Sequence, residues 1–209
     1  MSELTVADIL DLRAYERVRD DFRRQVVAKK RLRRVPLGPV ITLLFECTDT
    51  VRFQVQEMAR AEKILTDEGI QGELDVYNRL LPGRGELSAT LFIELTDEDQ
   101  LRHWLPRLVG IERSVAFELP PPRGADAATV VVSSPEGSHA QALTREAVTS
   151  AVHYLRFSFT PAEVDLFGAG PVALASRHPE YTARTELSDE VRQELLSDLE
   201  GTTSVIPLG

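Results

Sequence analysis

A single cysteine in 209 residues, Cys47, removes whole classes of protein at once. It excludes a disulfide framework and a cysteine-rich metal site. No apolar run approaches the ~18 residues that span a bilayer, so no membrane helix is expected. The opening MSELTVADILDL has no basic segment leading into an apolar core. No secretory signal is read there, and a cytoplasmic location is expected. Catalytic signatures are equally scarce. The four histidines are His103, His139, His153 and His178, and no HExxH or HxH brings two of them to ligand spacing. No GxSxG, Walker loop or GxGxxG follows a strand, and Pro82-Gly83-Arg84-Gly85 reads as a turn. There is no internal repeat and no low-complexity tract.

What is present is an ordinary globular composition, 43% hydrophobic and 27% charged. The net charge is −9, unevenly placed. Residues 1–34 hold ten Lys/Arg against six Asp/Glu, leaving fourteen against twenty-seven for the rest. Arg23, Arg24, Lys29, Lys30, Arg31, Arg33 and Arg34 make a basic edge that could meet nucleic acid or an acidic protein. The plainer alternative is a solvated helix end, whose dipole also favours cations. An acidic body steers nucleic acid poorly, so nucleic acid ranks last among the partners.

Periodicity divides the chain into elements. Tyr15, Val18, Phe22 and Val26 put a helix over 7–32. Pro36 and Gly38-Pro39 stop it and turn the chain. Val40–Glu46 is too apolar to have a wet face except near its end and reads as a central strand. Thr48, Asp49 and Thr50 suit a helix N-cap. The helix beyond them should bury Val51, Val55, Met58 and Leu65 and end near Gly69. Leu87–Leu95 alternates cleanly as a strand. A helix from Thr96 to Gly110 and a strand over Ser114–Leu119 follow. Beyond Pro120-Pro121-Pro122 come a short strand at Thr129–Ser133 and a loop over Pro135–Gln141. Then come a strong strand at Ala151–Phe159 and a short helix from Thr160-Pro161. A hairpin turns at His178-Pro179-Glu180. A last helix, capped by Ser188, ends at Gly201, and the tail is expected to be loose.

The polar crowd that attracts most interest lies on the helix after the first long strand. Gln54 and Glu57 are three apart, as are Glu57 and Arg60, so each pair can touch. Glu62 lies on the same helix, and Glu46 at the preceding strand end could lie close. Such carboxylates with an arginine could hold a metal, act as acid and base, or receive a partner's cation. Ordinary helix-flank ion pairs are the bland alternative. Arg156 could bind an anion or pair with a carboxylate. His178 and Tyr181 flank the hairpin corner, and His153 shares a strand face with Leu155 and Phe157 as a core histidine would. Cys47 reads as a half-buried small residue with acidic neighbours, not an activated thiol. No metal or cofactor can be named from these residues.

Several phrases together carry a resemblance: ERVRDDFR, VPLGPVITLLFE, DTVRFQVQEMARAEKI, LPGRGELSATLFIEL, AVHYLRFSF and HPEY. They resemble the bacterial domain-of-unknown-function family 3501 along nearly the whole chain. The resemblance implies an accessory role in an iron or redox pathway, beside rubrerythrin-like proteins and iron–sulfur oxidoreductases.

The expected fold is α+β, with helices packed on an antiparallel or mixed sheet and a smaller β-rich unit after the triple proline. The expected division is 1–119 and 127–209, or one continuous domain. The first functional expectation is an accessory or scaffold protein that docks a rubrerythrin-like or iron–sulfur partner. One alternative is a metal-dependent enzyme or iron carrier using Glu46, Glu57 and Glu62 with His178. The other is nucleic-acid binding through Arg23, Arg24, Lys30, Arg31, Arg33 and Arg34.

Overall fold

The computed structural model describes residues 3–136 and 148–208. Most of the loop expected at 135–141 lies outside the described residues, and His139 with it.

A short 3₁₀ turn, Val6–Asp8, precedes helix α1, Leu12–Arg31. The Asp11 side chain caps α1 by accepting the Ala14 N–H, and Tyr15, Phe22 and Val26 form its buried stripe, as their spacing predicts. Strand β1, Arg34–Leu37, occupies part of what the prolines suggested was only a turn. It pairs with β2, Ile41–Phe45, around Gly38 at φ 71°. A Cβ on Gly38 would lie 2.5 Å from the Tyr181 hydroxyl, so this corner needs glycine for two reasons.

Helix α2 spans Thr48–Glu62, and its N-cap is Cys47, ahead of the three residues that suited a cap. Its buried face is Val51, Val55 and Ala59. Lys63 turns left-handed and ends the helix, so Leu65 never joins that face and stands 80% exposed. A separate helix, α3, then runs Asp67–Tyr77 straight through Gly69, expected to be a terminator. Gly69 instead sits in the first turn, where its N–H is capped by Thr66. The remaining elements are β3 (Glu86–Ile93), α4 (Glu98–Trp104), β4 (Val115–Leu119), β5 (Thr129–Val132) and β6 (Ser134–Pro135). After them come β7 (Val152–Ser158), α5 (Pro161–Ala169), β8 (Ala173–His178), β9 (Tyr181–Glu186) and α6 (Asp189–Glu200).

The fold is α+β, with two antiparallel sheets in the orders β1-β2-β3-β7-β6 and β5-β4-β8-β9. Strands from both sides of the triple proline lie in each sheet, since β3 pairs with β7 and β4 with β5 and β8. The core fills the space between the sheets. Leu43, Phe45, Leu87, Leu155 and Phe157 come from the first, and Val115, Phe117, Leu119 and Leu174 from the second. Phe117 touches the rings of Phe45, Phe157 and Phe167, which ties both sheets to α5. A second apolar cluster joins α2 and α3, with Tyr154 of β7 packed against it. α1 lies over α2 through Tyr15, Phe22, Val26 and Phe53.

Candidate functional site

The polar face of α2 is largely engaged with the chain itself. Glu57 accepts from Arg19 Nε and Nη2, each at 2.8 Å, and from the Tyr15 hydroxyl at 2.7 Å. The Arg19 guanidinium holds the Glu57 carboxyl below the usual carboxylate range, against the opposing effect of burial. Burial and the same carboxylate push the Tyr15 phenol well up. Arg60 pairs with Glu16, one turn nearer the start of α1. Buried Gln56 donates to the Leu10 carbonyl and accepts its N–H, pinning the entry to α1. Gln54 is half-buried and Glu62 exposed.

Glu46 has different company. It is 2% exposed and accepts from Thr50 at 2.5 Å and Thr90 at 2.6 Å, between β3 and the start of α2. Glu46 and Glu57 therefore serve separate networks. No group of three His, Cys, Asp or Glu that could hold a metal occurs among the described residues.

Two interior ion clusters were not singled out by the sequence. Asp49, fully buried, takes Lys29 at 2.8 Å and Arg52 at 3.0 Å. It also accepts the Ile206 N–H at 3.0 Å. Arg52 and Lys29 donate in turn to the carbonyls of Ile206 and Ser204. The tail is thus fastened across α1 and α2, with Ile206 and Leu208 packed against their cluster, contrary to the loose end expected. The second cluster corrects the basic edge. Arg33 has no exposed surface at all. It grips Asp198 of α6 with two nitrogens, at 2.7 and 2.9 Å, and Glu194 at 2.8 Å. Cys47 is wholly buried, and burial pushes its thiol up, which leaves it unreactive.

Other expected residues are dispersed. Arg156 pairs with Glu86 at 2.6 Å and donates to the carbonyls of Arg79 and Leu81. His178 is buried, with Nε2 3.0 Å from the Val109 carbonyl and Nδ1 accepting the Glu180 N–H. Tyr181 donates to the Leu37 carbonyl at 2.6 Å and accepts the Val40 N–H, locking the β1–β2 corner. His153 is a core histidine whose Nε2 meets Thr149 and the Ser150 carbonyl, each at 2.9 Å.

The outer face of α1 differs in kind. Arg13, Arg17, Arg24 and Arg31 lie on the side opposite Tyr15, Phe22 and Val26, and all four are exposed. Arg24 pairs with Asp21. Arg13, Arg17, Arg23 and Arg31 have no ion-pair partner among the described residues. Val27, 44% exposed, sits with Ala28 in a shallow groove walled by Arg23, Arg24, Arg31 and Asp20. Lys30 lies over the Phe53 ring, and Arg34 pairs with Glu94. Arg13 and Arg17 were missed in the sequence, although their spacing from Arg24 and Arg31 places all four on one stripe.

These features define a helix-covered, two-sheet α+β protein with a polar, cross-linked interior and a basic first helix. The chain belongs to the family described as "Protein of unknown function (DUF3501)", whose family model matches residues 3–199. It is similar to a protein of unknown function from Burkholderia pseudomallei, known from its crystal structure. That protein is 37% identical, the match covers 95% of this chain and all of the other, and the TM-score is 0.84. No curated protein matches the sequence.

Proposed function

We propose that this chain is a non-catalytic docking protein that receives an acidic protein partner on the outer face of α1. One observation carries the reading. Four arginines, Arg13, Arg17, Arg23 and Arg31, stand exposed and without ion-pair partners among the described residues, on a chain whose net charge is −9. Asp20 and Asp21 lie beside them, but arginine is in excess on this face, and a basic face on an acidic protein attracts an acidic surface and sets its orientation. Val27 and Ala28 supply the apolar centre such a contact needs, and the arginines its rim. The polar face of α2 has its partners in α1 and the tail, which favours α1 as the docking element. Within this class, the rubrerythrin-like or iron–sulfur protein implied by the family resemblance is the partner to test first.

Calorimetric titration against such a purified acidic protein tests the reading. Binding should weaken at least tenfold between about 50 mM and about 300 mM salt, as the Debye length shrinks. Reversing Arg13, Arg17, Arg23 and Arg31 to Glu should abolish it. Binding that survives both changes would refute the assignment. So would a preference for DNA or RNA with a steep salt slope. Stoichiometric iron in protein purified without chelators would favour the carboxylate-site alternative.

A further inference from the structure

Lys29 of α1 meets Asp49 and Arg52 of α2, and water barely reaches the three. Buried ions are costly unless their polar atoms are met. Here the remaining bonds go to one stretch of main chain. Lys29 donates to the Ser204 carbonyl at 2.6 Å, and Arg52 donates to the Ile206 carbonyl. Both Asp49 oxygens take the Ile206 N–H, at 3.0 and 3.2 Å. Cations therefore face carbonyls, and the anion faces an amide. These groups belong to alternate residues, 204 and 206, which an extended segment turns to one edge. The clamp reads a peptide backbone as a sheet edge does, with side chains in place of a neighbouring strand.

Side chains supply the rest. Ile206 and Leu208 pack against the cluster of Tyr15, Phe22 and Val26, beside Phe53. Residues 202–208, TTSVIPL, carry no charged side chain, and Pro207 has no N–H to extend the bonding. Three facts mark this strap as a replaceable occupant. It is a chain end, so it can lift away without moving another element. It leaves Arg52 Nε, a buried donor, without an acceptor among the described residues, and an unmet buried donor lowers stability. Finally, the clamp lies within the span of the family model, residues 3–199, and the strap lies beyond it.

We propose that the groove between α1 and α2 is a binding site for an extended, uncharged peptide segment with an apolar-Pro-apolar core, and that residues 203–208 are its cis occupant. The seated strap shows the chemistry the groove accepts: backbone carbonyls and an amide at the clamp, and aliphatic side chains on the aromatic cluster. A partner protein's segment of this kind enters by displacing the strap. The site is separate from the acidic contact on the outer face of α1, because the groove lies against that helix's buried stripe.

The probe is the fluorescein-labelled peptide TTSVIPLG, titrated into the full chain carrying Ile206→Asp and Leu208→Asp, which frees the groove of its strap. With the tethered strap at an effective concentration of about 1 mM and closed roughly thirtyfold over open, the free peptide should bind with a Kd of about 30 µM. The wild-type chain should bind it at least tenfold more weakly, because its groove is filled. The peptide carrying Ile206→Asp should not bind. If the double variant misfolds, hydrogen exchange at the Ile206 amide of isotope-labelled wild type decides. Unlabelled peptide at about 1 mM should accelerate that exchange at least tenfold, because it captures the open form. No binding up to about 1 mM, equal binding by wild type and variant, or unaccelerated exchange overturns the proposal. A wild-type dimer that the peptide dissolves would put a second copy's strap in the groove, and it also overturns the proposal.

Discussion

Replacing Arg33 by methionine should be among the most damaging single changes in this protein. The guanidinium is sealed from water and makes three charge-assisted hydrogen bonds of 2.7–2.9 Å, two to Asp198 and one to Glu194. Glu194 is 22% exposed and can turn to solvent, but Asp198 is completely enclosed. The variant therefore leaves a buried carboxylate with little besides Thr203 to satisfy it. Breaking such a pair from one side costs about 3–5 kcal/mol. For a chain of this size that lowers the melting temperature by roughly 6–20 °C. The paired replacement Arg33→Met/Asp198→Leu removes both charges and should recover most of the loss, because desolvation offsets much of what a buried ion pair contributes. Urea melts of the wild type, both single variants and the double variant form a complete cycle. A loss below about 1 kcal/mol for Arg33→Met would refute the reasoning, as would a double variant no more stable than the worse single one.

Two further outcomes follow from the same interior. Burial holds His153 below its usual 6.5, against the pull of nearby Glu112. The folded state therefore binds this proton more weakly than the unfolded chain. Its contribution is present above about pH 6.5 and is lost as the pH falls toward the folded value. His153→Gln should flatten that limb of a stability–pH curve, and an unchanged limb would exclude the histidine as its source. Removing residues 202–209 should cost roughly 2–3 kcal/mol, from the apolar contacts of Ile206 and Leu208 and the bonds to Asp49 and Arg52. Thermal melting of the truncated chain reads it, and an unchanged midpoint would show that the tail contributes nothing.

Much of the fold is legible in the sequence because it rests on periodicity. The alternation of β3, the apolar run of β2, the Tyr15–Val26 stripe and the Thr160 and Ser188 caps are local signals, and each appears where it was read. The misses are tertiary. β1 holds a proline and still pairs, because Pro36 occupies an outward position that needs no N–H. Gly69 lies inside a helix because Thr66 caps it there. Arg33 looked like one more member of a basic run, and nothing local marks it as interior. Its partner lies 165 residues away. Likewise the tail looks loose until Asp49, 157 residues earlier, receives it. At the candidate site the residue types were seen, but their partners were out of reach. Spacing shows that Glu57 and Arg60 can touch; it cannot show that α1 reaches each of them first.

That last geometry bears on how the chain is made. Asp49 finds its cations, Lys29 and Arg52, close by in the chain, but Arg33 leaves the ribosome well before Glu194 and Asp198 of α6, the carboxylates that neutralise it. Until α6 emerges, the Arg33 guanidinium has no carboxylate to enter the interior with, so the corner between α1 and β1 stays open to water. Closure of that corner waits for a partner made 165 residues later.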